Sequence, residues 1–227
     1  MSTSRPSIAV IGGTGDLGSG LAGRFARAGY PVIIGSRSAE KAVAAAKELA
    51  GGKARGMANA DAAAAAEVVV LAVPFGSHDG TLGEIAPGVA GKLVIDTTVP
   101  LVPPKVGTVQ LPKEGCAAVR AQARLGGGVT VVSAFHNVSA HKLGGDAPID
   151  CDVLVFGDSR EARDRVVGMV DAIGLRGIHG GPLANSAAAE ALTSVLITIN
   201  RLYKVDGAGI RITGKHSDGR PFAGGQA

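Results

Sequence analysis

The chain has 227 residues, 46% hydrophobic and 19% charged, which is enough to bury a core without metal or disulfide staples and too apolar for a disordered chain. Lys and Arg number 23 against 19 Asp and Glu, a net charge of +4 with no run of basic residues, and aromatics are only 3% with no Trp. That balance argues against a nucleic-acid track or stacking platform and suits a small anionic ligand such as a phosphorylated cofactor.

Residues 1–6 lead into only a short apolar stretch before Gly12, too little for a signal sequence, and nowhere are there about 18 apolar residues in a row. A soluble, cytoplasmic protein without membrane or nucleic-acid partners is expected. Cys116 and Cys151 stand far apart with no Cys-x-x-Cys or His-rich company, so neither a disulfide framework nor a metal site is expected. Glycine is the outlier at 35 of 227, roughly twice ordinary usage, which points to tight turns and to backbone lying close to a ligand.

Short apolar runs alternate with amphipathic stretches. Residues 8–11 read as a strand buried on both faces, followed by a helix over 17–28. A second strand over 31–35 leads to a helix capped by Ser38 and running to about Ala50. A short alanine-rich helix over 60–66 precedes the most apolar strand, 67–73. A helix near 81–85, a strand over 92–96, strands over 129–134 and 152–156, and a helix over 159–172 complete the alternation, which predicts a parallel sheet with helices on both faces. Four prolines in 99–112 preclude a helix, so that segment is expected as an irregular loop over the carboxyl edge of the sheet. The last helix, 186–204, places Ala188, Leu192, Val195, Ile199 and Leu202 on one stripe, which reads as core or dimer packing. The polar segment after Gly214 is expected to fray.

The strongest motif is Gly12-Gly13-Thr14-Gly15-Asp16-Leu17-Gly18, directly after the first strand and opening a helix. Gly13, Gly15 and Gly18 fill a G-x-G-x-x-G pattern, in which glycine permits a tight turn, close approach of backbone to a pyrophosphate and close helix–strand packing. The free amides of the helix's first turn then face the diphosphate. The second strand selects the cofactor. An NAD site places an acid there, whereas this strand ends Gly35-Ser36-Arg37, with Lys41 one turn into the next helix. A hydroxyl, a guanidinium and an ammonium suit a 2′-phosphate, so NADP(H) is the expected cofactor. Val73-Pro74-Phe75 ends the strongest strand at the carboxyl edge, where the nicotinamide half would pass.

The remaining residues limit the chemistry. A short-chain dehydrogenase pair Tyr-x-x-x-Lys is absent, because Ile34 follows Tyr30 and Gly207 follows Tyr203 at that spacing. No lysine lies between Pro182 and Tyr203, where a β-hydroxyacid dehydrogenase would carry one. Hydride transfer needing little acid–base help remains, or one served by His136, just past a strand, which can hydrogen-bond a carbonyl or take up a proton.

With the further motifs Val131-Val132-Ser133-Ala134-Phe135-His136, Gly181-Pro182-Leu183-Ala184-Asn185-Ser186, Glu190, Leu192-Thr193 and Gly209-Ile210, the chain resembles the NADPH-dependent reductases of the deazaflavin coenzyme F-420 over most of its length. The resemblance implies a Rossmann-type doubly wound domain (1–139), a smaller C-terminal α/β domain (140–213) and a homodimer; the polar residues 214–227 beyond it are read as a flexible tail. It implies hydride transfer between NADP(H) and coenzyme F-420 as co-substrate, a reaction served by positioning. It carries NADP binding onto Thr14, Gly15, Asp16, Leu17, Ser36, Arg37 and Lys41, and the nicotinamide half onto Val73, Pro74, Phe75 and Ala208. His136 and Thr193 would face the deazaflavin as catalytic positions, with Asn137, Asn185 and Ser186 beside them as substrate-binding positions. The family pattern has an arginine and a serine where this chain has Ala187 and Ala191. That difference keeps open a reductase of another small carbonyl or imine compound, and the lack of an obvious acid keeps open a non-catalytic NADP sensor.

Overall fold

A computed structural model describes residues 5–49, 54–218, 220 and 222. Ala50, residues 1–4, and residues 219, 221 and 223–227 of the expected tail lie outside the described residues. The first unit is β1 (Ile8–Ile11), α1 (Asp16–Arg27), β2 (Val32–Ser36), α2 (Ala39–Glu48), β3 (Arg55–Ala58), α3 (Asn59–Ala65) and β4 (Val68–Leu71). It continues through α4 (Phe75–Ile85), β5 (Leu93–Asp96), α5 (Ala117–Leu125) and β6 (Thr130–Ser133). Then come α6 (Ala140–Gly144), β7 (Asp152–Gly157), α7 (Arg160–Ala172), β8 (Arg176–Gly181) and α8 (Ser186–Tyr203).

One eight-stranded sheet, in the order β3-β2-β1-β4-β5-β6-β7-β8, carries them all. Pairing is parallel from β3 to β6, as the alternation of strand and helix requires, and parallel again between β7 and β8. β7 runs antiparallel to β6, joined through Val132–Gly157 and Ser133–Phe156. Along β1, Ile8 and Val10 enter a core shared with Leu21 and Phe25 of α1 and Ala42 of α2. Ala9 and Ile11 enter the opposite core with Ala62 of α3, Leu82 of α4 and Ala121 of α5. Strands buried on both faces explain why β1 and β4 read as unbroken apolar runs.

Two long-range polar anchors join the two halves of the chain. Arg24 of α1, 7% exposed, donates to the carbonyls of Lys142, Leu143, Gly145, Ala147 and Ile173, capping α6 and holding it on α1. Asp152, fully buried at the start of β7, receives a two-pronged bond from Arg176 of β8 (2.6 Å each) and the Ile212 amide. The described part of the C-terminal segment folds back here, with Arg176 Nη1 bonded to Phe222 O at 3.1 Å.

Several elements depart from the pattern read in the sequence. β3 and β8 are edge strands made largely of small or polar residues, and α5 follows the proline-rich segment. α4 starts at Phe75, one turn after β4, rather than near residue 81. The stripe on α8 is not core: Val195 is 44% and Leu202 72% exposed, Ala188 is exposed, and Leu192 and Ile199 are half-buried. The helix instead turns Ser186, Ala189, Glu190 and Ser194 inward, because their polar groups find buried partners there.

Candidate cofactor and substrate cleft

Strand order reverses at β1: β2 lies on one side and β4 on the other, so the connections leave a crevice at the carboxyl ends of β1 and β4. The glycine turn fills one side of it. The amides of Gly12 and Gly13 both donate to Gly35 O (3.1 Å each), which brings the end of β2 against the turn. Gly12 has φ +76°, and a Cβ there would strike Ala72 O across the crevice. A Cβ on Gly18 would strike Gly12 O, so close packing of α1 on the turn requires glycine. The first helical bond of α1 is Ser19 N–H to Gly15 O (2.8 Å), which leaves the amides of Asp16, Leu17 and Gly18 ahead of it for an anion.

Two adjoining cavities share Gly15, Ala72, Val73 and Pro74 as a common waist. The first, about 590 Å³, has Thr14, Ser36, Arg37, Ser38, Lys41 and Asn59 in its walls. Arg37 and Lys41 are exposed, and neither pairs with a carboxylate among the described residues. The second, about 720 Å³ and mainly apolar, is lined by Asp16, Leu17, Phe75, Phe135, His136, Val138 and Thr193, under a roof of Val99, Leu101, Pro103 and Val106. The irregular segment expected over the carboxyl edge thus forms a wall of this cavity.

His136 is 6% exposed, and neither of its ring nitrogens has a partner. Burial pushes its pKa down to about 4 against the opposing pull of Asp96, so the ring is neutral near pH 7. Phe135 before it adopts φ +70°, a left-handed conformation rare for a bulky residue. Thr193 of α8 donates to His136 O (2.9 Å) and receives Asn137 Nδ2 (3.2 Å), so its hydroxyl fixes the wall on which His136 is carried.

The predicted residues fall in four places, with Gly15, Val73 and Pro74 shared between the two cavities. Thr14, Gly15, Ser36, Arg37, Lys41, Val73 and Pro74 meet in the first cavity, and Gly15, Asp16, Leu17, Val73, Pro74, Phe75, His136 and Thr193 in the second. Gly13 and Gly18 are buried behind the turn. Asn137, Asn185, Ser186 and Ala208 line neither cavity. Asn137 Nδ2 donates to Ala189 O, Asn185 Nδ2 to Gly180 O, and Ala208 N–H to Asn200 Oδ1, while Ser186 is fully buried. Sequence reasoning passed over Asn59, Ser77 and Thr81 in the first cavity and Thr97 and Thr98 in the second. It also missed the buried His78–Asp96 pair (2.8 Å), in which Asp96 Oδ1 accepts the Thr98 amide (2.9 Å). The run Asp96-Thr97-Thr98 at a strand's carboxyl end was the available signal. Among the described residues, no cluster of His, Cys, Asp or Glu could hold a metal ion.

A glycine cradle at a strand-order reversal, cations beside the second strand and an apolar chamber beyond define a doubly wound dinucleotide-binding protein. Residues 7–100 match the family model for NADP oxidoreductase, coenzyme F420-dependent. The chain is 44% identical to the F420-dependent NADP reductase of Methanothermobacter marburgensis, covering 91% of this chain and 97% of that one. It is 46% identical to the reductase of the same name from Methanothermobacter thermautotrophicus, covering 91% and 94%. A crystal structure from Arthrobacter sp. FB24, described as a candidate F420-dependent NADP reductase, superposes with a TM-score of 0.76 at 27% identity, covering 91% of this chain and 99% of that one. The chain belongs to the F420-dependent NADP reductase family.

Proposed function

We propose that this protein transfers hydride between NADP(H) and the deazaflavin coenzyme F-420. The observation that carries the reading is the two-part cleft: a phosphate-grade end and an apolar end meet at one waist, in a chain whose relatives bear that activity in their names. The dinucleotide and the deazaflavin supply the hydride chemistry when bound. Thr14, Gly15 and the amides of Asp16 and Leu17 bind the diphosphate. Ser36, Arg37 and Lys41 hold the 2′-phosphate, and Asn59 sits at the back of the same chamber. Leu17 and Val73, Pro74 and Phe75 shelve the nicotinamide half and exclude water. His136, kept neutral, offers one donor and one acceptor to the second ring, and Thr193 holds that histidine's backbone in place. The test is spectral: purified protein with NADPH should bleach the deazaflavin's visible absorbance, and no change would end the reading.

A second reading rests on the apolar chamber, whose walls carry no Arg or Lys, together with Ala187 and Ala191. It makes the second substrate a neutral carbonyl or imine compound, and turnover of one with none of the deazaflavin would select it. The homodimer belongs to this proposal as well: Val195, Leu202 and Tyr203 (44%, 72% and 74% exposed) form an apolar face on α8 that a second copy would cover, which light scattering in solution tests. A reducing, cytoplasmic setting fits the two buried, unpaired cysteines, and no helix among the described residues is long and apolar enough to cross a membrane.

A further inference from the structure

Glu190 of α8 is 1% exposed and lies outside the lining of the cleft, yet its carboxylate is the meeting point of three elements. Its Oε2 accepts the Ala117 amide (2.6 Å), and its Oε1 accepts the Ala118 amide (3.2 Å) and the Ser186 hydroxyl (2.8 Å). Ser186 Oγ in turn receives the hydroxyl of Ser133, the last residue of β6 (2.7 Å). Ala117 and Ala118 open α5 directly after the irregular segment that roofs the apolar chamber, so an acid on one helix caps the N-terminus of another. Further along α8, Ser194 Oγ donates to Thr108 O (3.4 Å) and Thr198 Oγ1 to Gly107 O (3.1 Å), gripping the middle of the same roof. On the adjoining side, Ala189 O and Thr193 Oγ1 hold Asn137 and the backbone of His136.

We propose that Glu190 is a positioning residue for the second substrate, setting the separation between the roof (residues 99–118) and the His136 wall. This rests on the hydride-transfer reading above. Only the ionised carboxylate can accept two α5 amides and a hydroxyl at once. A glutamine turns an N–H2 toward one of those donors and releases that grip, whereas a protonated acid can donate to Ser186 Oγ but offers the α5 amides only the weaker acceptor of a neutral group. The titratable groups facing it are the Cys116 thiol from the residue preceding α5 and Asp96 from β5. Burial, with Asp96 adding to it, raises the Glu190 pKa to about 7 while the three donors pull the other way, so the grip changes within the neutral range.

The test uses the full chain and steady-state kinetics with NADPH and the deazaflavin. Glu190→Gln should raise the KM for the deazaflavin by about tenfold or more while the NADPH Kd stays within about twofold. The wild-type kcat/KM for the deazaflavin should decline on the acid side of about pH 7, and that limb should vanish in Glu190→Gln. Ser133→Ala cuts the far end of the chain and leaves the grip on α5, so it should show a smaller rise in KM, about threefold, with the acid limb kept. Should Glu190→Gln fail to fold, the Ser133→Ala result decides. An unchanged deazaflavin KM, equal losses of NADPH and deazaflavin binding, or an acid limb that survives in Glu190→Gln each overturn the positioning role. NADPH binding without any deazaflavin turnover in the wild type would instead remove the functional reading, and this role with it.

Discussion

Two glycines of one motif should fail in opposite ways when changed to alanine. At Gly18 the added Cβ would lie inside contact distance of Gly12 O and 2.9 Å from both Gly12 C and Gly13 Cα, all of them backbone atoms that cannot swing aside. Overpacking of this kind costs about 3 kcal/mol at the upper end, against a helix-propensity gain of about 1 kcal/mol, for a net loss near 2 kcal/mol. For a chain of this size that corresponds to a Tm lower by about 4–8 °C. Gly15 has φ −86° and ψ 166°, which alanine adopts freely, and the nearest atom to its Cβ is Gly12 O at 3.5 Å. Gly15→Ala should therefore keep its Tm or gain slightly by restricting the unfolded chain. Its methyl group stands where the diphosphate must approach, so NADPH affinity should fall at least about tenfold, about 1.4 kcal/mol. Calorimetry and an NADPH fluorescence titration on both variants separate the two effects. Full NADPH affinity in Gly15→Ala, or an undisturbed Tm in Gly18→Ala, would refute the assignment of one glycine to the ligand and the other to the fold.

Arg37→Glu should weaken NADPH by about tenfold or more and leave NADH unaffected, because it replaces a phosphate contact by repulsion; equal losses for both nucleotides would contradict the 2′-phosphate assignment. Arg24→Met should lower stability by about 3 kcal/mol, since up to five carbonyls around α6 lose their donor in a buried setting; chemical denaturation within 1 kcal/mol or so of wild type would sink that estimate. His136 has a folded pKa of about 4, below the unfolded value of about 6.5, so its contribution is complete above pH 6.5 and is lost as pH falls toward 4. Relative to His136→Asn, the wild type should lose up to about 3 kcal/mol across that window, and parallel stability curves would show that the ring is not buried neutral. Burial pushes the Cys116 thiol up to about 11 and raises Cys151 also, so a thiol reagent should leave the native protein unlabelled at pH 8 and react with both residues only after unfolding.

The parts of the fold legible in the sequence are those whose causes are local. β1, its glycine turn and α1 declare themselves because a doubly buried strand must be an apolar run and the turn tolerates no side chain at Gly12, Gly13 or Gly18. Ser36, Arg37 and Lys41 fall at the first cavity because strand length and helix pitch place them there. What escaped depends on distant partners. α5 carries no ordinary local cap; Cys116 Sγ is 3.5 Å from the Val119 amide, and the carboxylate that satisfies the first turn is Glu190, seventy-odd residues away. β3 offers only Arg-Gly-Met-Ala, and Gly56 is needed because the backbone of Ala42 lies against it. In β8, Gly180 makes room for the Phe156 ring beside a shift in register, so the strand loses the β-branched pattern that would have announced it. The reversed α8 has the same origin: amphipathic period alone favours the leucine stripe inward, while Ser186, Glu190 and Ser194 find buried hydrogen-bond partners that no periodicity reveals.

The two ends of the cleft use opposite physics, and the orphaned nitrogens of His136 show why both are needed. A buried imidazole with neither ring nitrogen bonded carries a desolvation cost of order 1–3 kcal/mol for each unmet group. The hydroxyl of Thr193, in the same cavity wall, gives its proton to the His136 carbonyl rather than to the ring. The ring also cannot relieve itself by taking a proton, because burial holds it neutral. Both ring nitrogens lie in the wall of the apolar chamber, so on the proposed reading the carbonyl and N–H edges of a flat conjugated ring would be within the class of groups that can bond them. On this reading the hydride passes directly from one ring to the other and the one proton that completes reduction of the deazaflavin is exchanged with solvent, so what the chain must provide is alignment and close contact between two rings. On the proposed reading, phosphates gripped at the solvent-facing end would position the first ring, and His136 in an otherwise apolar wall would orient the second. The missing Tyr-Lys pair is then a consequence of the reaction rather than a gap in the site.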